Sequence, residues 1–349
     1  SYQRLHDFIR DEYLPATTDT VGLTALPGGE PWYDFLVRLQ TTTDLSADEI
    51  HEIGLAEVQR IRGEMEAIME QVGFEGDLQA FFDHLRTAPE FYHDKPEQLV
   101  QSYRDLRAQV DAAVPEFFSL TPKADFEVRA VEPFREQSAA GAFYMRPAAD
   151  GSRPGVFYVN TYNIKSRPKY AAEALYLHEA VPGHHYQISL QQELDELPDI
   201  RRFGGFTAYT EGWGLYAETL GEELGLYTDP YQRFGALDAQ MVRAIRLVAD
   251  TGLHAKGWTR EQALEFMMDN SSISETRAIA EVERYIAIPG QALAYKIGQL
   301  KISELRARAE QALGDDFDLR QFHAEVLASG PLPLDVLEDK IDRWIESQT

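Results

Sequence analysis

The chain has 349 residues, with 33 Lys plus Arg against 58 Asp plus Glu, a formal net charge of −25, and no cysteine. That charge excludes recognition of a nucleic-acid backbone or an anionic membrane surface through a basic face. The absence of thiols excludes disulfides, zinc-thiolate sites, iron–sulfur clusters and cysteine nucleophiles, so any transition-metal site must be built from His, Asp and Glu.

The first residues, SYQRLHDFIRDEYLP, read as an amphipathic helix where a signal peptide would carry a basic residue and an apolar run. The chain begins without Met, as a processed or cloned piece would, which leaves the compartment open between cytoplasmic and exported. Ser46 to Val72 predicts one long surface helix opened by a capping box, Ser46 with Glu49, and carrying Ile50, Ile53, Val58, Ile61, Met65, Ile68 and Met69 on its apolar face. Further helices are predicted over Asp77–Thr87 and Pro96–Val114. From Ala124 to Asn163 the helical period is lost: ADFEVRAVE, AAGAFYMRP and VFYVNTYN are aromatic and β-branched with Gly/Pro turns, which predicts about three strands with a hairpin between the second and third. Helical spacing returns over Pro168–Glu193, Thr207–Leu226, Pro230–His254, Thr259–Met268, Glu275–Ile286, Gln291–Ala312, Leu319–Ala328 and Leu334–Ser347. No apolar run approaches the roughly 18 residues that span a bilayer. The expected class is mostly α with a small β-sheet, forming one unit over 1–349: helical to 120, the sheet at 124–163, helices of unusual chemistry at 168–226, and a helical remainder from 230.

Three of the nine histidines, His178, His184 and His185, fall within the eight residues HEAVPGHH. An HE dipeptide on a helix evokes the zinc-peptidase pattern HExxH, in which two histidines four residues apart face one metal, but here Pro182 stands at the fourth position. On an unbroken helix His184 would lie roughly 240° around from His178, and His185 roughly 10.5 Å along the axis, too far for both to reach one zinc at about 2.1 Å. Pro182 removes the N–H that would bond the His178 carbonyl, and Gly183 adds backbone freedom, so the helix must kink, bulge or restart between the histidines. A break absorbing two residues returns His184 to the second-ligand position. A catalytic zinc takes three protein ligands and leaves a fourth place for water. The third ligand expected is Glu211, flanked by Gly212, Trp213, Gly214 and Tyr216 in place of charged neighbours. Glu218, seven residues on and on the same helix face, is the reserve ligand or the partner for the other nitrogen of a bound histidine.

The blocks LHEAVPGHHYQ, TEGWGLYAE, RLVADTGLHAKGWT and RYIAIPGQALAYKIG, in that order between residues 177 and 298, resemble the bacterial family known as domain of unknown function 885, and the resemblance extends over nearly all of the chain. That family is distantly similar to the helical zinc peptidases, among them carboxypeptidase Taq, thimet oligopeptidase and angiotensin-converting enzyme. The resemblance implies a zincin-like fold binding Zn2+, with His178, His184 and Glu211 as metal ligands, 27 positions separating the last two, and Glu179 as general base on the zinc-bound water. The two-residue insertion leaves His185 as the alternative second ligand.

The resemblance further implies a peptidase acting on oligopeptides, of carboxypeptidase or oligopeptidase type. An edge strand over Val156–Thr161, including Tyr158 and Asn160, would hold an extended peptide by main-chain bonds. The tetrahedral oxyanion would be stabilised by His254 and Tyr285, with Tyr295 in reserve, donors of the kind the similar peptidases use. Arg243, Arg246, Arg277, Arg284 and Lys296 are candidates to hold a substrate carboxylate. Two alternatives remain: a metal-dependent hydrolase of another amide or ester, and a non-catalytic helical binding protein. The sequence has no G-x-S-x-G elbow for a serine nucleophile.

Overall fold

In the computed structural model, which describes residues 1–18 and 20–348, the chain is mostly helical with one three-stranded sheet. An amino-terminal arm, α1 (Tyr2–Phe8) and α2 (Leu14–Ala16) joined by a π-helical turn, buries none of its residues. Next come α3 (Gly29–Thr41), α4 (Ala47–Gln71), α5 (Leu78–Thr87) and α6 (Pro96–Phe117). The predicted capping box is present, Ser46 and Glu49 each bonding the other's backbone. Asp77 caps α5, and Pro96 opens α6, where a missing N–H costs nothing. Helix α3 was not anticipated; its register is set by burial of Tyr33 and Val37.

The sheet comprises β1 (Phe126–Ala130), β2 (Ala142–Met145) and β3 (Gly155–Val159) in the order β1-β3-β2. The hairpin expectation holds, since β2 pairs antiparallel with β3, while β1 pairs parallel with it. Strand β3 is therefore central and buried along its length, which corrects the expectation of a free edge at Val156–Thr161: both rows of its backbone groups are engaged by neighbouring strands. The outer strand beside the next helices is β2, whose residues are all half-buried.

The chain continues through α7 (Ala172–Glu179), α8 (His184–Gln192), α9 (Asp199–Phe203) and α10 (Thr207–Thr219). The predicted run to Leu226 stops at Thr219, where a turn brings the Tyr227 ring over Gly221. Then follow α11 (Pro230–Ala255), α12 (Arg260–Asn270), α13 (Glu275–Ala287), α14 (Leu293–Leu313), α15 (Leu319–Leu327) and α16 (Leu334–Gln348). None of these helices is long and apolar enough to cross a membrane.

Two large apolar cores, with smaller ones around Tyr33 and around Val156, organise the described residues. One joins the sheet, α6, α7, α10 and α14–α16 around Phe157, Tyr176, Trp213 and Ile302; the other joins α4, α5, α11 and α13 around Ile61, Phe81, Phe234 and Ile245. Helix α7 belongs to the first core and packs against α10, α11, α6 and β2. Helix α10 is seated closely on α14, where a side chain on Gly212 would meet the Gly298 Cα at 2.5 Å.

Candidate metal centre

Helix α7 ends at Glu179 and α8 begins at His184, so the connection is a restart across Ala180–Gly183 rather than a bulge inside one helix. The turn is tight. A Cβ on Gly183 would stand 2.0 Å from the His178 carbonyl oxygen and 2.2 Å from that of Leu177, so no larger residue fits this backbone path. The indole N–H of Trp213 donates to the Pro182 carbonyl at 2.8 Å, tying the break to α10. The two changes of direction bring the His178 and His184 rings to 4.5 Å between centroids, nearly perpendicular.

Helix α10 completes the group. His178 lies across two of its turns: Glu211 Oε2 is 3.5 Å from His178 Nε2, the His178 Nδ1–H donates to Glu218 Oε1 at 2.8 Å, and Gly214 sits beneath the ring, where a Cβ would meet His178 Cε1 at 2.8 Å. Glu211 Oε2 is also 3.3 Å from His184 Nε2. One ligand atom from each of His178, His184 and Glu211 lies within 4.8 Å of the other two. Tetrahedral ligands about 2.1 Å from a zinc ion stand about 3.4 Å apart, so the two measured separations suit a single ion.

The electrostatics favour a cation at this position. Burial works to lower the His178 pKa, yet Glu211 and Glu218 raise it to about 9. Burial works to raise that of Glu211, yet His184 and His178 hold it well below the ordinary carboxylate range. Glu211 Oε2 is buried with no hydrogen-bond partner among the described residues, an arrangement that a bound cation would satisfy. Glu218 supplies the orienting contact that a ligating histidine commonly has; His184 Nδ1 has no such partner among the described residues. Glu179, the residue after His178, is buried and makes no hydrogen bond or ion pair among the described residues.

Other expected site residues are occupied elsewhere. His185 points to the sheet: it is hydrogen-bonded to the Ala124 backbone, Tyr144 OH lies 2.9 Å from its Nδ1, and burial depresses its pKa to about 4. It is therefore not part of the ligand group. His254 is fully buried, accepting from the Leu23 N–H at 3.2 Å and donating to the Tyr285 carbonyl at 3.0 Å, and the Tyr285 hydroxyl donates to Glu281 at 2.8 Å. Neither has a free donor for an oxyanion, which corrects both assignments. Tyr158 and Asn160 are likewise structural: the Tyr158 hydroxyl reaches Glu132 at 3.4 Å, and the Asn160 amide bonds the carbonyls of Glu136, Ala139 and Ala140. Arg246 and Arg284 are both answered by Glu281, at 2.9 and 3.5 Å, with the Tyr295 ring between them, and Lys296 is paired with Glu57 at 2.8 Å. Arg243 approaches Glu218 to 3.7 Å. Two residues not anticipated lie nearby: Tyr103, whose hydroxyl feels both Glu179 and Arg167, and Arg167 itself. No local pattern marks them, since they come from α6 and from the segment between β3 and α7.

The chain belongs to the family described as "Bacterial protein of unknown function (DUF885)", which matches residues 1–341. No curated protein matches it. Among solved structures it is similar to a protein described as a lipoprotein from Colwellia psychrerythraea, with a TM-score of 0.96 and 40% identity over 99% of this chain and 60% of that one. It is also similar in fold to one described as a lipoprotein of unknown function from Shewanella oneidensis, with a TM-score of 0.77 and 21% identity over 97% of this chain and 62% of that one. The chain thus spans about three fifths of the length of these relatives.

Proposed function

Starting from that family membership and the geometry of the site, we propose that the protein is a zinc-dependent peptidase of zincin-like architecture that hydrolyses peptide bonds in oligopeptides. The observation that carries the reading is the convergence of His178, His184 and Glu211 on one point with an unengaged carboxylate, Glu179, on the residue after the first of them. A zinc ion held by those three residues would lower the pKa of a water and polarise a carbonyl. Glu179 takes the proton from the attacking water and passes it to the leaving amine. Glu218 fixes the His178 ring by its bond to Nδ1, and a structural zinc site, closed by four protein ligands, would have no use for Glu179. A substrate main chain has the outer edge of β2 beside α7 and α8 as its place to pair.

The test is metal analysis together with hydrolysis of an oligopeptide mixture followed by mass spectrometry. The purified chain is expected to bind about one zinc, and Glu179→Gln to keep the metal while losing at least about a hundredfold in rate. Failure to take up zinc in solution, or full activity in Glu179→Gln, overturns the reading.

A further inference from the structure

The metal centre leaves a group of arginines unexplained. Helices α11 and α13 and the segment before α13 run side by side in the same direction, shown by three pairs in matching order: Asp238 accepts from Ser272 Oγ at 2.7 Å, Arg246 donates to Glu281 at 2.9 Å, and His254 bonds the Tyr285 carbonyl at 3.0 Å. Arg243 and Arg277 both fall between the first two pairs and so stand at the same level. Glu281 answers Arg246 and Arg284 in close contact, whereas at this level Asp238 and Glu281 act on Arg277, and Asp238 on Arg243, only through space, with no ion pair to either acid among the described residues. Arg277 makes no hydrogen bond or ion pair among the described residues. It is surrounded by protein while its side chain stays open to solvent, the combination expected of a group lining a cleft. Among the described residues Arg243 bonds only its own helix through the Ala239 carbonyl, has a buried Nε with no partner, and meets Glu218 only at 3.7 Å, Glu218 being engaged more closely by His178.

A third cation joins them. Among the described residues Arg167 donates only to Ser166, and its Nε is buried without a partner. Arg277 is near enough to oppose its charge, so that burial and that repulsion together depress the Arg167 pKa. Its guanidinium lies against Gly141, where a Cβ would meet Cζ at 3.1 Å, at the start of the outer strand β2. Through Tyr103, whose hydroxyl feels both Arg167 and Glu179, the group reaches the side of the site where Glu179 stands. Asp238, Glu281 and Glu218 offset part of the charge of these three guanidiniums, but their unused N–H donors are left for a further anion to engage.

We propose that Arg167, Arg243 and Arg277 hold the free C-terminal carboxylate of a peptide substrate, so that cleavage beside Glu179 removes residues from that end. This rests on the peptidase reading above. The planar guanidinium fork matches a carboxylate in two-point hydrogen bonds. The reaction is balanced by water alone: its oxygen joins the carbonyl carbon, the C–N bond breaks, and its proton leaves on the amine of the released residue.

The experiment uses the zinc-loaded full chain with one N-acylated peptide in three forms: the free acid, the C-terminal amide, and the amide with Glu as last residue. The acid is expected to be cleaved and both amides to be poor substrates. Arg277→Ala is expected to lower kcat/KM on the acid about 10- to 100-fold, mainly through KM, the loss expected for hydrogen bonds to a charged group; Arg277→Lys should restore part of it. Equal cleavage of acid and simple amide, or equal slowing of both by Arg277→Ala, overturns the proposal. Cleavage of the Glu-bearing amide as fast as the acid also overturns it, by moving recognition to a side-chain carboxylate. If no form is hydrolysed, calorimetry on the Glu179→Gln chain separates the two ideas. Arg277-dependent preference for the acid keeps the carboxylate site while the peptidase reading falls, and equal binding of acid and amide removes the carboxylate site.

Discussion

Glu218 Oε1 lies 2.8 Å from His178 Nδ1, and both groups are almost wholly buried. The contact leaves Nε2 as the nitrogen that faces Glu211 and His184 and adds negative charge behind the ring. Glu218→Ala is therefore expected to weaken zinc affinity about 10- to 100-fold. Glu218→Gln, which keeps an acceptor but loses the charge, should fall between. Competition with a chelating dye reads both; unchanged affinity in Glu218→Ala would remove the orienting role.

Gly214 provides a second, steric handle on the same histidine. A methyl group there would stand 2.8 Å from His178 Cε1 and 2.9 Å from Nδ1, so the ring must move off the line between Glu211 and Glu218. Gly214→Ala is expected to cost about 1–3 kcal/mol of stability and to reduce zinc affinity at least about tenfold while far-ultraviolet circular dichroism stays helical. Normal zinc binding in this variant would show that the ring position is not critical.

The choice between the adjacent histidines can be made directly. His184 faces Glu211 at 3.3 Å, whereas His185 is committed to the Ala124 backbone and Tyr144. His184→Ala should abolish stoichiometric zinc binding. His185→Ala should retain it but lose about 1–3 kcal/mol, because it leaves the half-buried Tyr144 and the buried Ser189 hydroxyls with one partner fewer. Metal content and urea midpoints distinguish the two, and the reverse pattern would assign the ligand to His185.

A pH effect is expected away from the metal. Asp250 is fully buried, accepts from the Tyr33 hydroxyl at 2.6 Å and the Gly290 N–H at 3.0 Å, and burial nonetheless raises its pKa from 3.8 to about 7. A carboxyl with its folded pKa above its unfolded value holds its proton more tightly when folded. The Asp250 contribution to stability is therefore full below about pH 4, falls as pH rises to about 7, and is level above that. The loss over this window is at most about 4 kcal/mol. Asp250→Asn, neutral throughout, should lack that slope, so that its stability relative to the parent rises between pH 5 and pH 8 in urea unfolding. Parallel stability profiles for the two proteins would count against the raised pKa.

Much of the architecture was legible because it is local. The long helix opened at Ser46, the loss of helical period between Ala124 and Asn163, and the pairing of β2 with β3 follow from capping chemistry, spacing and turn residues. So does the nomination of the His178 and Glu211 segments, whose histidines, acids and glycines stand out against their neighbours. The misassignments at Tyr158, Asn160, His254 and Tyr285 share one cause. Each residue type has the right chemistry, but its hydrogen-bonding capacity is used elsewhere: by partners distant in the chain for Tyr158, Asn160 and His254, and by Glu281 one helical turn back for Tyr285.

By itself the sequence determined the composition of the site: without cysteine, a transition-metal centre must use His and carboxylate, and the Pro-Gly pair rules out a straight helix between the two histidines. Tertiary structure alone decided that His184 rather than His185 turns toward Glu211, that Glu218 stands behind His178, and that Arg167, from another segment, joins Arg243 and Arg277. The physical reason is that ligand separation, burial and unanswered charge depend on how α7, α8, α10, α11 and α13 meet, and no spacing within one segment encodes a distance between two.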